Sequence, residues 1–264
     1  MAAKLVLISG ASSGIGEALA KRYGHAGDHV LLLARNEERL AAVADTIKRD
    51  GGTATAFVID LADPDATEEI SAKIAREIGT PDILINNAGS GRWLPLAKTT
   101  AAEARSMIEV PYLAAFSLTR AFLPLMLPRR RGVIACVTSP ASYIAWPNAA
   151  TYIAARRALA GLADGIRSEV KGKGVTVTLI VLGMVETPYW DHNPGSRENA
   201  PASNSWLAPV MSADEAAATI FSGVERHKRI VVKPAILRAV FLLNAIAPGL
   251  VTRQIQRSIP KRQG

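Results

Sequence analysis

Three glycines crowd the segment Ser9-Gly10-Ala11-Ser12-Ser13-Gly14-Ile15-Gly16, directly after an apolar run. Glycine takes up positive φ in a tight turn and has no Cβ to keep a ligand from the backbone. If a helix begins at Gly14, its unpaired N–H groups and the positive end of its dipole face whatever occupies the turn, which suits a pyrophosphate. Three glycines also serve a plain tight turn, so the motif points to dinucleotide binding only between a strand and a helix. Other chemistries have little to build on. Cys136 is the single cysteine, which excludes an internal disulfide framework and a cysteine-rich metal site. Among His25, His29, His192 and His227 the only pair at helical spacing, His25 and His29, straddles Gly27. No metal site is expected.

The elements that must position the glycine turn follow from periodicity. Lys4–Ser9 is a continuous apolar run of the kind found in strands buried on both faces of a parallel sheet. The order after it reads helix 14–26, strand 29–34, helix 37–49, strand 53–60, helix 64–78 and strand 82–86. Pro64 suits the first turn of its helix, with Asp63 as N-cap. Helices over 100–110 and 112–126, strand 132–138, helix 151–171, strand 175–181, helix 212–226 and strand 230–232 continue the alternation. Strands and helices alternating at this spacing predict one α/β domain over 1–232, a doubly wound, Rossmann-type parallel sheet of about seven strands. Glu186–Pro209, polar, with four prolines and no periodicity, is expected to be a loop over the substrate side, extending to about residue 210.

The chain has 264 residues, 49% of them apolar and 20% charged, enough to bury a full core, which argues against disorder. Its net charge of +8 is unevenly distributed. Residues 226–264 hold nine Lys or Arg and no acidic residue, while residues 1–225 hold 22 basic and 23 acidic side chains. The near-neutral body gives little support to nucleic-acid binding, and none is expected. The single cysteine fits a reducing compartment. The short run Leu5–Ser9 is no signal peptide or membrane span, so a cytoplasmic location is expected.

Several motifs recur in order at the carboxyl ends of the expected strands. They are Gly10-x-x-x-Gly14-x-Gly16, Asp60-Leu61, Asn86-Asn87-Ala88-Gly89, and Ser139 thirteen residues before Tyr152. Together they resemble the short-chain dehydrogenase/reductase family, from Lys4 to about Val232. The resemblance implies a nicotinamide cofactor held by Gly10, Ser12, Ser13, Gly14, Ile15 and Gly16, with Asp60 and Leu61 near the adenine. Asn87, Ala88 and Gly89 would support the ribose and the central sheet, and Val185 and Thr187 would meet the nicotinamide. An NAD site needs an acidic residue at the end of the second strand, and here Arg35 follows Ala34. A guanidinium pairs with a 2′-phosphate, so NADP(H) is the expected cofactor.

The resemblance also implies catalytic roles. Tyr152 would be the acid/base, Ser139 would align a carbonyl oxygen, and the cation four residues on, usually lysine, is Arg156. Arginine keeps the charge and can donate to ribose hydroxyls, but it does not pass a proton onward. Two further departures accompany it: Pro111 stands where the family has a catalytic asparagine, and Leu182 where it usually has proline before Gly183. The implied function is interconversion of a ketone and a secondary alcohol. The departures leave open an NADP(H)-binding scaffold or regulator with weak or lost activity.

Trp93, Trp146, Trp190 and Trp206, with Tyr143 and Tyr189, fall in segments that should reach the carboxyl edge of the sheet, which suggests a bulky apolar carbonyl or alcohol substrate. Arg197, in the same loop, is expected to be solvated. Beyond residue 232 lies a basic, partly apolar extension, 233–264, in which Arg238, Asn244 and Pro248 interrupt the apolar stretch 234–252. That rules out a continuous span and leaves three occupants for the apolar stripe: an anionic membrane surface through 234–262, a subunit interface, or a pocket cover. Family members are commonly homodimers or homotetramers, which the resemblance implies here.

Overall fold

A computed structural model describes residues 2–200 and 209–258. Seven parallel strands form one sheet: β1 (Leu5–Ser9), β2 (His29–Ala34), β3 (Thr53–Val58), β4 (Ile83–Asn86), β5 (Gly132–Thr138), β6 (Val175–Leu182) and β7 (Ile230–Lys233). Their order across the sheet is β3-β2-β1-β4-β5-β6-β7, so the winding reverses between β1 and β4. At that switch point a crevice opens beyond the carboxyl ends of the strands. Val6 pairs with Val30 on one side of β1 and with Ile83 on the other.

The apolar runs are continuous because both faces of the sheet are covered. Val6 and Ile8 point into a core closed by α1 (Gly14–His25), α2 (Glu37–Arg49) and α9 (Ala213–Glu225), through Leu19, Leu40 and Ile220. Leu7 points the other way, into a core closed by α3 (Pro64–Glu77), α5 (Ala114–Arg129) and α6 (Ala150–Glu169), through Ile74, Phe122 and Leu159. Asp63 caps α3 as expected, its carboxylate accepting from the N–H groups of Asp65 and Ala66, each at 3.0 Å.

The structure departs from the sequence reading in four places. The two helices expected over 100–126 are one path: α4 (Ala101–Ile108) enters α5 through a π-helical turn, Glu109–Leu113. Pro111 sits in that turn and offers no N–H, which interrupts the regular ladder. The expected loop after Glu186 contains two single-turn helices, α7 (Tyr189–His192) and α8 (Ser196–Asn199). The extension folds into α10 (Leu237–Ile246) and α11 (Pro248–Ser258). Tyr143 does not line the crevice but packs with α10: Phe241 stacks on its ring at 4.7 Å, and Asn244 donates to its carbonyl at 3.0 Å.

Candidate active site

The glycine turn is built so that backbone lies on backbone. Gly10 has φ +68°, the left-handed region that favours glycine. A Cβ on Gly16 would lie 2.0 Å from the Gly10 carbonyl oxygen, so only glycine lets α1 start this close to β1. Asn87 fixes the arrangement from just beyond β4: its side-chain amide donates to the carbonyls of Ser9 at 3.0 Å and Gly10 at 3.3 Å. The Ser9 hydroxyl accepts from the N–H groups of Asn87 and Ala88, each at 3.0 Å. Ser13, the N-cap of α1, makes no side-chain cap. The first turn of α1 therefore presents its N–H groups to the crevice.

One end of the crevice is cationic. Arg35 follows β2, and its guanidinium lies 3.9 Å from the Asp60 carboxylate, both side chains more than half exposed. Asn36 caps α2 by accepting from the Arg39 N–H at 2.8 Å. Arg39, which the sequence reading passed over, brings a second guanidinium to this end. Asp60 accepts from the Ala62 N–H at 3.0 Å and holds its own turn.

At the other end stands Tyr152, 7% exposed, on the first turn of α6. The Trp93 ring lies 5.3 Å from the Tyr152 ring, and the Arg156 guanidinium carbon lies 4.8 Å from the same ring's centroid. Arg156 is also 7% exposed and donates to the Ser90 carbonyl at 3.4 Å. Its Nε is buried without a hydrogen-bond partner among the described residues. The end of β5 and α6 are tied together: Thr138 and Ser142 hydroxyls meet at 2.7 Å, and Ser142 donates to the Arg156 carbonyl at 3.0 Å. Ser139 opens the intervening turn, its Oγ accepting from the Ala141 N–H at 3.1 Å.

Sequence reasoning missed a polar seam between 91–93 and 189–196. The Tyr189 hydroxyl donates to the Gly91 carbonyl, and Asn193 accepts from the Gly91 N–H at 3.3 Å. Asn193 also donates to the Tyr189 carbonyl at 2.8 Å, and the Trp93 N–H donates to Ser196 Oγ at 3.1 Å. Asn193 and Ser196 are buried, so these bonds are shielded from water. Burial, and then the nearby Tyr152, raise the Tyr189 phenol well above its ordinary value, while Arg156 opposes them. Nothing in the spacing of a polar, proline-rich stretch distinguishes Asn193 and Ser196 from solvated residues. Arg197 is exposed but not free in solvent: it pairs with Glu186 and lies over the Trp190 ring at 5.4 Å.

These parts face one cleft of about 1350 Å³. Gly10, Ser12, Ser13, Gly14, Ile15 and Gly16 line its floor, Arg35, Asp60 and Leu61 one end, and Asn87, Ala88 and Gly89 its middle. Ser139, Tyr152, Arg156, Val185 and Thr187 line the other end, with Trp93, Trp146, Tyr189 and Trp190 as aromatic walls. Trp206 lies outside the described residues. Pro111 does not line the cleft. Glu109 and Val110, from the same π-helical turn, do, and Pro111 is buried behind them.

The sheet order, the uncapped helix start on a glycine turn and the cleft at the switch point define a Rossmann-type α/β protein. Residues 4–197 match the family model described as short chain dehydrogenase, and the chain belongs to that family of oxidoreductases. It is 33% identical over 250 residues to a fatty acyl-CoA reductase of Acinetobacter baylyi, covering 94% of this chain and 81% of that protein. It is 33% identical over 259 residues to dehydrogenase/reductase SDR family member 7B of Rattus norvegicus, covering 94% and 79%. A solved short-chain dehydrogenase from Sphingobium yanoikuyae, in complex with NADPH, superposes with a TM-score of 0.81 at 25% identity, covering 99% of this chain and 98% of that one.

Proposed function

We propose that this chain is an NADP(H)-dependent oxidoreductase that interconverts a ketone and a secondary alcohol on a bulky apolar substrate. The carrying observation is that the glycine cradle, the Arg35 end and the trio Ser139, Tyr152 and Arg156 line one cleft. The residues fit the cofactor. A Cβ on Gly16 would fill the turn, and Arg156 Nε lacks an acceptor among the described residues. The N–H groups of α1 would hold the pyrophosphate, Arg35 the 2′-phosphate, and Arg156 the nicotinamide-side ribose. The bound nicotinamide supplies or takes up the hydride.

The rest belongs to the chain. Ser139 Oγ donates to the substrate oxygen and orients it, and the Tyr152 hydroxyl passes its proton to that oxygen or takes it back. The Arg156 charge, 4.8 Å from the Tyr152 ring, stabilises the negative charge left when the proton departs. Arginine holds its own proton, so onward relay has to run through hydroxyls or water. Four aromatic walls favour a large apolar substrate.

The test is NADPH oxidation against a panel of aryl and long-chain ketones. Tyr152→Phe should remove turnover while leaving NADPH binding, followed by fluorescence titration, unchanged. Turnover that survives the substitution refutes the assignment. Arg156 and Leu182, the departures from the family pattern that line the cleft, also support a second reading, nucleotide binding without efficient chemistry. It predicts wild-type binding without turnover, and rescue by Arg156→Lys.

A further inference from the structure

The two faces of α10 do different things. Leu237, Phe241 and Asn244, spaced i, i+4 and i+7, face the body: Leu237 lines the cleft, Phe241 stacks on Tyr143, and Asn244 bonds the Tyr143 carbonyl. The opposite side carries Ala239, Leu242, Leu243 and Ile246, and it is open to solvent, with Leu242 64% and Ile246 75% exposed. Leu250, at the start of α11, is a further exposed apolar side chain, and Arg253 and Arg257 share its side of that helix by spacing and exposure. Lys228, Arg229, Lys233 and Arg238 are exposed nearby in sequence, and from residue 226 onward there is no carboxylate side chain to offset them.

We propose that the outer face of α10, with the cations of α11 and the β7 edge, seats the protein on an anionic bilayer surface. Ten residues of helix span about 15 Å, half of a hydrocarbon core of about 30 Å, so α10 lies in the interface and does not cross it. An apolar stripe bordered by cations needs a partner that is apolar and anionic at once, and a leaflet containing acidic lipid offers both. A second copy of this chain meets the charge condition poorly, because a two-fold contact through this face would bring two uncompensated cationic sets together. Pro234 and Leu237 border the cleft, so the docked face and the cleft share one helix. The bilayer then also becomes the source of a membrane-dissolved apolar carbonyl, a consequence that rests on the function proposed above.

Co-sedimentation of the full chain with vesicles tests the docking. The vesicles are phosphatidylcholine alone, or phosphatidylcholine mixed equally with phosphatidylglycerol. The protein should pellet with the anionic vesicles and not with the neutral ones. A variant carrying Leu242→Ser, Leu243→Ser and Ile246→Ser, and a second carrying Arg253→Glu and Arg257→Glu, should each partition at least about tenfold more weakly. All five positions lie outside the cleft lining, so NADPH titration of both variants should match wild type and report that they are folded. Wild-type protein that ignores anionic vesicles overturns the proposal, as does a triple variant that binds them equally well. A wild-type dimer that the triple variant dissociates, without vesicle binding, assigns the face to a second copy. Vesicle binding by a protein that fails to bind NADPH upholds the docking and overturns only the cofactor reading.

Discussion

Gly16→Ala is the most demanding test of the cradle, because the added methyl has nowhere to go. Its Cβ would lie 2.0 Å from the Gly10 carbonyl oxygen and 2.7 Å from Asn87 Nδ2. The first contact is with backbone, and Asn87 is itself pinned to Ser9 and Gly10. No rotamer change relieves it, so the turn must move off α1 by roughly one and a half ångströms to reach ordinary van der Waals distance. Overpacking of this kind costs about 1–3 kcal/mol, and a backbone neighbour puts it at the upper end. At about 2–4 °C per kcal/mol for a domain of this size, the melting temperature should fall by roughly 4–12 °C. The same displacement moves the N–H groups proposed to hold the pyrophosphate, so NADPH affinity should drop at least about tenfold. Gly161→Ala is the matched control. Gly161 lies inside α6 on an exposed face with nothing within 4 Å of an added Cβ, and alanine there should stabilise by about 0.5–1 kcal/mol. Thermal melts and fluorescence titration of both variants decide the matter. Unchanged melting and NADPH affinity in Gly16→Ala would refute the account of the turn.

Arg35→Asp should weaken NADPH binding by about ten- to a hundredfold through loss of charge-assisted bonds while sparing NADH, and equal loss for both nucleotides would remove Arg35 from 2′-phosphate recognition. Tyr189→Phe leaves the Gly91 carbonyl without its donor; a cost of about 1–3 kcal/mol should lower the melting temperature and raise KM several-fold with kcat little changed. Unaltered melting and KM would mean that the seam does not hold the cleft wall. Burial pushes the Cys136 thiol up to about 12. The unfolded thiol ionises near 8.5, so above about pH 8.5 the unfolded chain binds fewer protons and stability falls as pH rises toward about 12. Buried Tyr23 and Tyr189, also raised, add to this loss above about pH 10. Melts between about pH 8 and 11 should show the decline, and iodoacetamide should label Cys136 only after unfolding.

The alternation of strands and helices was legible because burial on both faces demands it. Val6, Leu7 and Ile8 point alternately into two cores, so the strand reads as an unbroken apolar run. The cradle was legible because Gly10 and Gly16 answer to local geometry, a positive φ and a missing Cβ. Ser139, Tyr152 and Arg156 were legible as a family pattern in order along the chain, and all three line the cleft. Pro111 was legible as a departure from that pattern, but its place behind Glu109 and Val110 was not, because the π-helical turn shifts which residues face the cleft.

What the linear order determined, then, was the class of sheet, the glycine turn and the cationic character of the last stretch. Tertiary structure alone decided which aromatics wall the cleft, sending Tyr143 to Phe241 and Tyr189 to Gly91. It alone revealed the buried seam of Asn193 and Ser196, whose partners lie about a hundred residues away. It also divided α10 into a face that packs on the body, with Leu237 in the cleft lining, and a face that touches solvent. The physical reason is common to all of these. Period and glycine spacing report forces acting within a few residues, whereas the partner of a polar group or an exposed apolar stripe depends on which distant segments the sheet brings alongside.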